Sequence, residues 1–140
     1  MANTFYMEIV TPERTFFAGK ALSLVLPALD GQRGVMAGHE PMVTAVESGV
    51  LKYRTEDGQW HFAAVSRGFA EVMPEYVILL VSTAEHPSEI DEQRARKAME
   101  RAEQRLHTLS TNREEYGFAQ QAFERARARL QAKAEQKDRK

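Results

Sequence analysis

YVILLVSTAEHPSEIDEQRA, residues 76–95, changes its hydrophobic period once, at Pro87. Before the proline, Tyr76–Val81 is an unbroken apolar run, the length of a central strand covered on both faces. After it, Ala95, Ala98, Ala102, Leu106 and Leu109 fall on one stripe at about 100° per residue, the mark of a helix with one buried side. The chain therefore reads as a β part, residues 1–86, followed by an α part, residues 87–140.

Working back from residue 76, the β pattern persists. Gly68 to Met73 joins the run at 76–81 through Pro74-Glu75. Leu51 and Tyr53 alternate with Lys52 and Arg54. After the Glu56-Asp57-Gly58 tip, Trp60, Phe62 and Ala64 face one way and His61 and Ala63 the other, which predicts a hairpin. Short strands with turns about every dozen residues point to a β-sandwich or flattened barrel.

Working forward, Ser88 is placed to cap the first helix, with Asp91 at its third position. Ser110-Thr111-Asn112 breaks the pattern, and Thr111 with Glu114 forms a second capping box. Tyr116, Ala119, Ala122, Phe123, Ala126 and Leu130 make the second stripe, so the tail is expected as an antiparallel two-helix hairpin. A seam of alanines buries little. At about 0.8 kcal/mol per CH₂ it holds far less firmly than leucine, and a detachable element is expected.

Composition limits the functions open to 140 residues. No apolar stretch approaches the roughly 20 residues of a membrane-spanning helix. The start, MANTFYMEIV, lacks the pattern of a secretory signal, and there is no cysteine for disulfides or thiolate metal sites; a cytoplasmic setting is expected. Residues 1–86 carry six Lys and Arg against ten Asp and Glu, a balance of −4, and residues 87–140 carry thirteen against ten, or +3. A mildly basic tail of mixed sign suits an acidic surface or a phosphate-bearing ligand better than nucleic acid.

The four histidines are too far apart for a metal site, and Ser66-Arg67-Gly68 is no nucleophile elbow. Gly31, Gly34 and Gly38 read as turn glycines. The residues with a chemical reading are arginines. Arg94 and Arg101 lie at about 300° and 280° from Asp91 along one edge of the first stripe, and Arg125 and Arg129 share an edge of the second. If the helices pair, these edges meet around a polyanion, since converging guanidiniums repel unless an anion lies between them. A solvated charged face accounts for the same spacing. For Asp91 the plain alternative is a helix N-terminus and a local pairing with Arg94.

In this order of features the chain resembles the epsilon subunit family of bacterial rotary F-type ATP synthases over almost its full length. The resemblance is carried by VTPERTFFAGKA (10–21), DGQRGVMAGHEPMVTAVESGVL (30–51), SRGFAEVMPEYVILLV (66–81) and EIDEQRARKAMERAEQRL (89–106). Met36-Ala37 and Arg67 depart from that family's usual Leu-Pro and glycine. The resemblance implies a ten-stranded sandwich that binds the gamma subunit and the c-ring, with Gly38 and His39 on the loop facing the rotor ring. It implies no catalysis and no required cofactor. The hairpin would either fold on the sandwich or extend along gamma to the alpha and beta subunits and obstruct ATP hydrolysis. Ile90, Asp91, Arg94 and Ala95 match the family's nucleotide motif, and Glu85, Arg101, Arg125 and Arg129 fall where its ATP contacts are expected, with ATP as a regulatory ligand. The implied place is the cytoplasmic face of a bacterial membrane, reached only through the complex. A purely structural coupling subunit is the first alternative. A coiled-coil adaptor is more remote, because Ser110 to Glu115 is polar throughout.

Overall fold

A computed structural model describes residues 3–108 and 112–138. Nine strands occupy the first part: β1 (Phe5–Val10), β2 (Thr15–Ala28), β3 (Gly31–Met36), β4 (Met42–Val46), β5 (Gly49–Thr55), β6 (Trp60–Val65), β7 (Gly68–Val72), β8 (Tyr76–Val81) and β9 (Ala84–Glu85). They form a sandwich. One layer runs β4-β7-β8-β1-β2 and the other β3-β2-β5-β6-β9, with every pairing antiparallel except β1 with β8. β2 serves both layers. Its first half pairs with β1 and its second with β3 and β5, with an irregularity between Ala21 and Ser23. Counted once in each layer, it gives the expected ten strands.

The core follows from side-chain alternation. Phe5, Met7 and Ile9 of β1, Leu24 and Leu26 of β2, Leu51 and Tyr53 of β5, and Val77, Leu79 and Val81 of β8 all point between the layers. β8 is central, as its apolar run requires. Only one of its faces is buried, however: Leu80 is 56% exposed, and Phe69 and Val43 on the neighbouring strands are 64% and 72% exposed. The expectation of burial on both faces is corrected, because the helices cover the other layer and leave this face open. Gly68 marks a close approach, since a Cβ there would lie 1.9 Å from the Leu80 carbonyl oxygen.

A short 3-10 turn, Pro87–Glu89, links the sandwich to α1 (Glu92–Thr108) and α2 (Arg113–Asp138). Ser88 lies in that turn and does not cap α1. The extended backbone of Ile90 separates the two elements, and Asp91 caps α1 by accepting the Arg94 amide at 3.1 Å. Asn112 caps α2, its Oδ1 accepting the Glu115 amide at 3.1 Å. The expected Thr111 box, with Leu109 and Ser110, lies outside the described residues.

On α1, Ala95 and Ala102 are buried and Ala98 and Leu106 half-buried. On α2, Ala119 and Ala126 are buried, with Ala122, Phe123 and Leu130 half-buried, as the stripe predicts. Tyr116 does not join it and is 39% exposed. Ala128 and Ala132 are buried on a different side of α2, about 180° and 220° from Tyr116's neighbour Ala119 if each is measured from Ala119 at 100° per residue. α2 thus has two buried faces, one against α1 and one against β5 and β6. Val50, Phe62 and Ala64 meet Ile90, Ala95 and Ala132 in a small second core, with Leu130 packed beside it.

Candidate functional site

The hairpin, its linker and β9 enclose a cleft of about 380 Å³, within the range of small-molecule sites. Ile90, Ala95 and Ala98 supply its apolar wall, and alanine at 95 and 98 leaves space that a longer side chain would fill. Its charged groups are Glu85, Glu89, Asp91, Arg94, Arg101 and Arg129. Seven of the eight residues singled out from sequence therefore share one site: Glu85, Ile90, Asp91, Arg94, Ala95, Arg101 and Arg129. Arg125 does not. It lies behind Arg129 and lines a separate space, because α2 turns that part of its surface toward the sandwich.

Three carboxylates and three guanidiniums make the cleft neutral by count, but not by availability. Glu85 Oε1 accepts from Arg129 Nε at 2.7 Å. Glu89 is held by Arg14, a residue sequence analysis did not single out, at 2.9 and 3.1 Å, and this bond keeps its carboxyl below the ordinary range. Asp91 spends Oδ1 on capping, and among the described residues it makes no side-chain ion pair with Arg94. The guanidiniums of Arg94 and Arg101 are left without a partner among the described residues. Two unpaired cations about two turns apart on α1, with a third held only by Glu85, make a cradle for a multiply charged anion. No group of three or more His, Cys, Asp or Glu suited to a metal occurs among the described residues.

The linker is pinned beside the cleft. Arg14 Nη2 donates to the Ala84 carbonyl at 3.0 Å and its guanidinium lies over the Phe16 ring, which stacks on His86 with centroids 4.1 Å apart. Burial against this surface lowers the pKa of His86. Arg14 does not line the cleft and is more than seventy residues from every residue that does, so no local spacing could have signalled it.

Among the described residues, three ion pairs join the hairpin to the sandwich: Arg129 to Glu85, Lys52 to Glu135 at 3.5 Å, and Arg67 to Glu124 at 3.5 Å. Arg67, the residue that departs from the resembled pattern, also meets Glu47 at 3.2 Å. Glu135 Oε2 is buried without a hydrogen-bond partner, so this packing carries an uncompensated polar atom.

At the opposite end of the sandwich, Gly38 (φ +83°) donates its amide to the Pro74 carbonyl at 2.8 Å. His39 Nδ1 lies 2.7 Å from the Glu40 carbonyl oxygen. β8 runs from this end toward the cleft, placing the Gly38-His39 loop a strand's length, about 20 Å, away. Leu29 and Met36 are exposed on the adjoining β2–β3 hairpin.

Residues 4–87 match the family model described as ATP synthase, Delta/Epsilon chain, beta-sandwich domain, and residues 88–134 the model described as ATP synthase, Delta/Epsilon chain, long alpha-helix domain. A protein of Ruminiclostridium cellulolyticum named ATP synthase epsilon chain is 44% identical over 129 residues, covering 92% of this chain and 95% of the relative. One of the same name from Syntrophomonas wolfei is 42% identical over 130 residues, covering 93% and 94%. A solved structure, the Euglena gracilis mitochondrial ATP synthase OSCP/F1/c-ring in rotational state 1, contains a chain of like fold. It superposes with TM-score 0.78 at 23% identity, over 89% of this chain and 78% of that one.

Proposed function

The chain belongs to the ATP synthase delta/epsilon chain family, and from that premise we propose that it is a non-catalytic rotor subunit whose hairpin reads nucleotide. Residues 1–86 would couple the rotating stalk to the membrane sector, and residues 87–140 would regulate. The open apolar face around Val43, Phe69 and Leu80 is suited to the gamma subunit, since so large an uncovered patch favours a protein partner. The Gly38-His39 end, with Leu29 and Met36, is suited to the c-ring. No described helix is long and apolar enough to cross a membrane. Attachment to the cytoplasmic face of the membrane would then come through these partners.

The observation that carries the regulatory reading is the cleft. Arg94 and Arg101 of α1 face it unpaired, Arg129 of α2 closes it, and Asp91 and Glu85 retain acceptor oxygens. ATP phosphates would be held by the arginines, with Asp91 accepting from the base or sugar. Phosphate would also compete with Glu85 for Arg129. Because both helices contribute, bound ATP would stabilise the compact hairpin by RT ln(1 + [L]/Kd), about 2.7 kcal/mol at a hundredfold excess over Kd. With nucleotide low, the hairpin would extend along gamma to the alpha and beta subunits and obstruct hydrolysis. No cofactor is required; ATP is a regulatory ligand. Calorimetric titration of the full chain with ATP is the test. Saturable heat that disappears in Arg94→Gln is expected, and none at millimolar ATP rejects the sensor.

One observation favours a second reading. Three ion pairs among the described residues tie hairpin to sandwich through the chain's own side chains, as a permanently folded, purely structural hairpin would require. Removing residues 88–140 from the assembled complex separates the two: the ATPase rate rises if the hairpin inhibits and stays constant if it is structural.

A further inference from the structure

Arg14 lies outside the cleft, yet it acts on one of the cleft's acids. The turn between β1 and β2 presents it firmly: the Thr11 hydroxyl accepts the Glu13 and Arg14 amides at 3.3 and 3.1 Å, and the Thr11 amide donates to the Arg14 carbonyl at 2.9 Å. Thr11 itself is buried. From this turn the guanidinium passes over the Phe16 ring and reaches the Ala84 carbonyl and both carboxylate oxygens of Glu89. Glu89 lines two spaces, the cleft and a neighbouring one shared with Arg14, Glu85 and Arg129. Its charge sits at a boundary, and its bonding partner decides which space that charge serves.

The charge balance shows what depends on this bond. The cleft lining alone sums to zero, three carboxylates against three guanidiniums. Arg14, neutralising Glu89 from outside, leaves one positive charge in excess, which is what draws a polyanion. Without Arg14, the Glu89 carboxylate keeps one neutral donor among the described residues, the His86 amide at 3.0 Å. His86 Nε2, 3.9 Å away, contributes only when protonated. The cleft's guanidiniums then compete for the carboxylate, since a charge-assisted hydrogen bond is stronger than one from a neutral donor. Arg129 already holds Glu85, so the unpaired Arg94 and Arg101 are the cations that an anionic ligand would lose.

We propose that Arg14 is a positioning residue of the nucleotide cleft: anchored in the sandwich, it keeps the Glu89 carboxylate occupied outside the cleft, so that Arg94 and Arg101 stay free for phosphate oxygens. The proposal rests on the nucleotide reading above and gives Arg14 no contact with the ligand. It also gives the sandwich a share in affinity. The Arg14 turn belongs to β1 and β2, whereas Glu89 leads into α1, so Arg14 occupies Glu89 only while the linker is docked. The cleft is therefore complete in the compact form alone, which is the form that ligand then stabilises.

The test is a calorimetric titration with ATP of the full chain and of Arg14→Gln, Glu89→Gln and the double variant. Arg14→Gln should weaken binding about tenfold, the exchange of one charge-assisted hydrogen bond. Glu89→Gln should bind at least as well as the unaltered chain, and the double variant should match Glu89→Gln, because no carboxylate remains to compete. Thermal unfolding separates this role from a merely structural tie. Loss of the Arg14 bonds should lower Tm by a similar amount in the single and double Arg14 variants, while affinity recovers only in the double. If ATP gives no heat with the unaltered chain, the nucleotide reading fails and this proposal with it. If that chain binds and Arg14→Gln binds equally well, or the double variant stays as weak as Arg14→Gln with its fold intact by circular dichroism, the positioning role alone is overturned.

Discussion

Asp91 holds two roles that a single substitution separates. Its Oδ1 caps α1, while its charge faces the cleft. Asn caps nearly as well as Asp, whereas Ala loses about 1 kcal/mol of helix stability. Asp91→Asn should therefore leave urea unfolding almost unchanged and weaken ATP binding about tenfold or more, while Asp91→Ala should lower both; calorimetry beside urea titration checks the difference. His86 sets a pH dependence. Burial holds its folded pKa below the ordinary 6.5, so the stacked linker is stable above pH 6.5 and loses stability as pH falls through that value. Glu89, lowered by its bond to Arg14, acts in the same direction further down, its contribution being lost below the ordinary 4.5. Proteolysis of the linker should accelerate between pH 7.5 and pH 5.5, and His86→Gln should remove most of that dependence.

At the scale of elements, the alignment of β7 on β8 depends on Gly68. A methyl group there would meet backbone, which has no rotamer by which to escape. Gly68→Ala should cost about 1–3 kcal/mol or more as strain, read as a lowered urea midpoint with an unchanged slope. α2 is held differently. Its alanines supply close approach and little apolar area, and its ionic ties are partly exposed, each worth about 0–1 kcal/mol. The buried, unpartnered Glu135 Oε2 subtracts from what they give. An element so secured is drawn from the low-stability end of the molecule, which is what a switching hairpin requires.

For the whole molecule, the helices cover β5 and β6, and among the described residues none covers the outer face of β7 and β8 around Phe69 and Leu80. Phe69 and Leu80 are exposed by more than half and face each other across β7 and β8, so Phe69→Glu with Leu80→Lys, an opposite-charge pair, should change unfolding stability by no more than about 0.5 kcal/mol per site, as for other surface positions. The same pair should abolish binding of a purified gamma subunit in size-exclusion chromatography. Retained binding would place gamma elsewhere on the sandwich.

The division at Pro87, the strand alternation around Leu51 and Tyr53, and the placing of Asp91, Arg94 and Ala95 on one end of one helix were determined by the sequence alone. Each depends on backbone geometry within a few residues, and that geometry repeats every two residues in a strand and every 3.6 in a helix. Only the tertiary structure decided that Arg129 takes Glu85, that Arg14 comes from the turn between β1 and β2 to hold Glu89, and that Arg125 leaves the cleft for a cavity of its own. It also decided that α2 buries Ala128 and Ala132 on a second face, a pattern that period analysis hides because alanines on two sides of a helix blur the single stripe. Which distant surfaces meet is settled by the packing of the whole chain, and no local period encodes that choice.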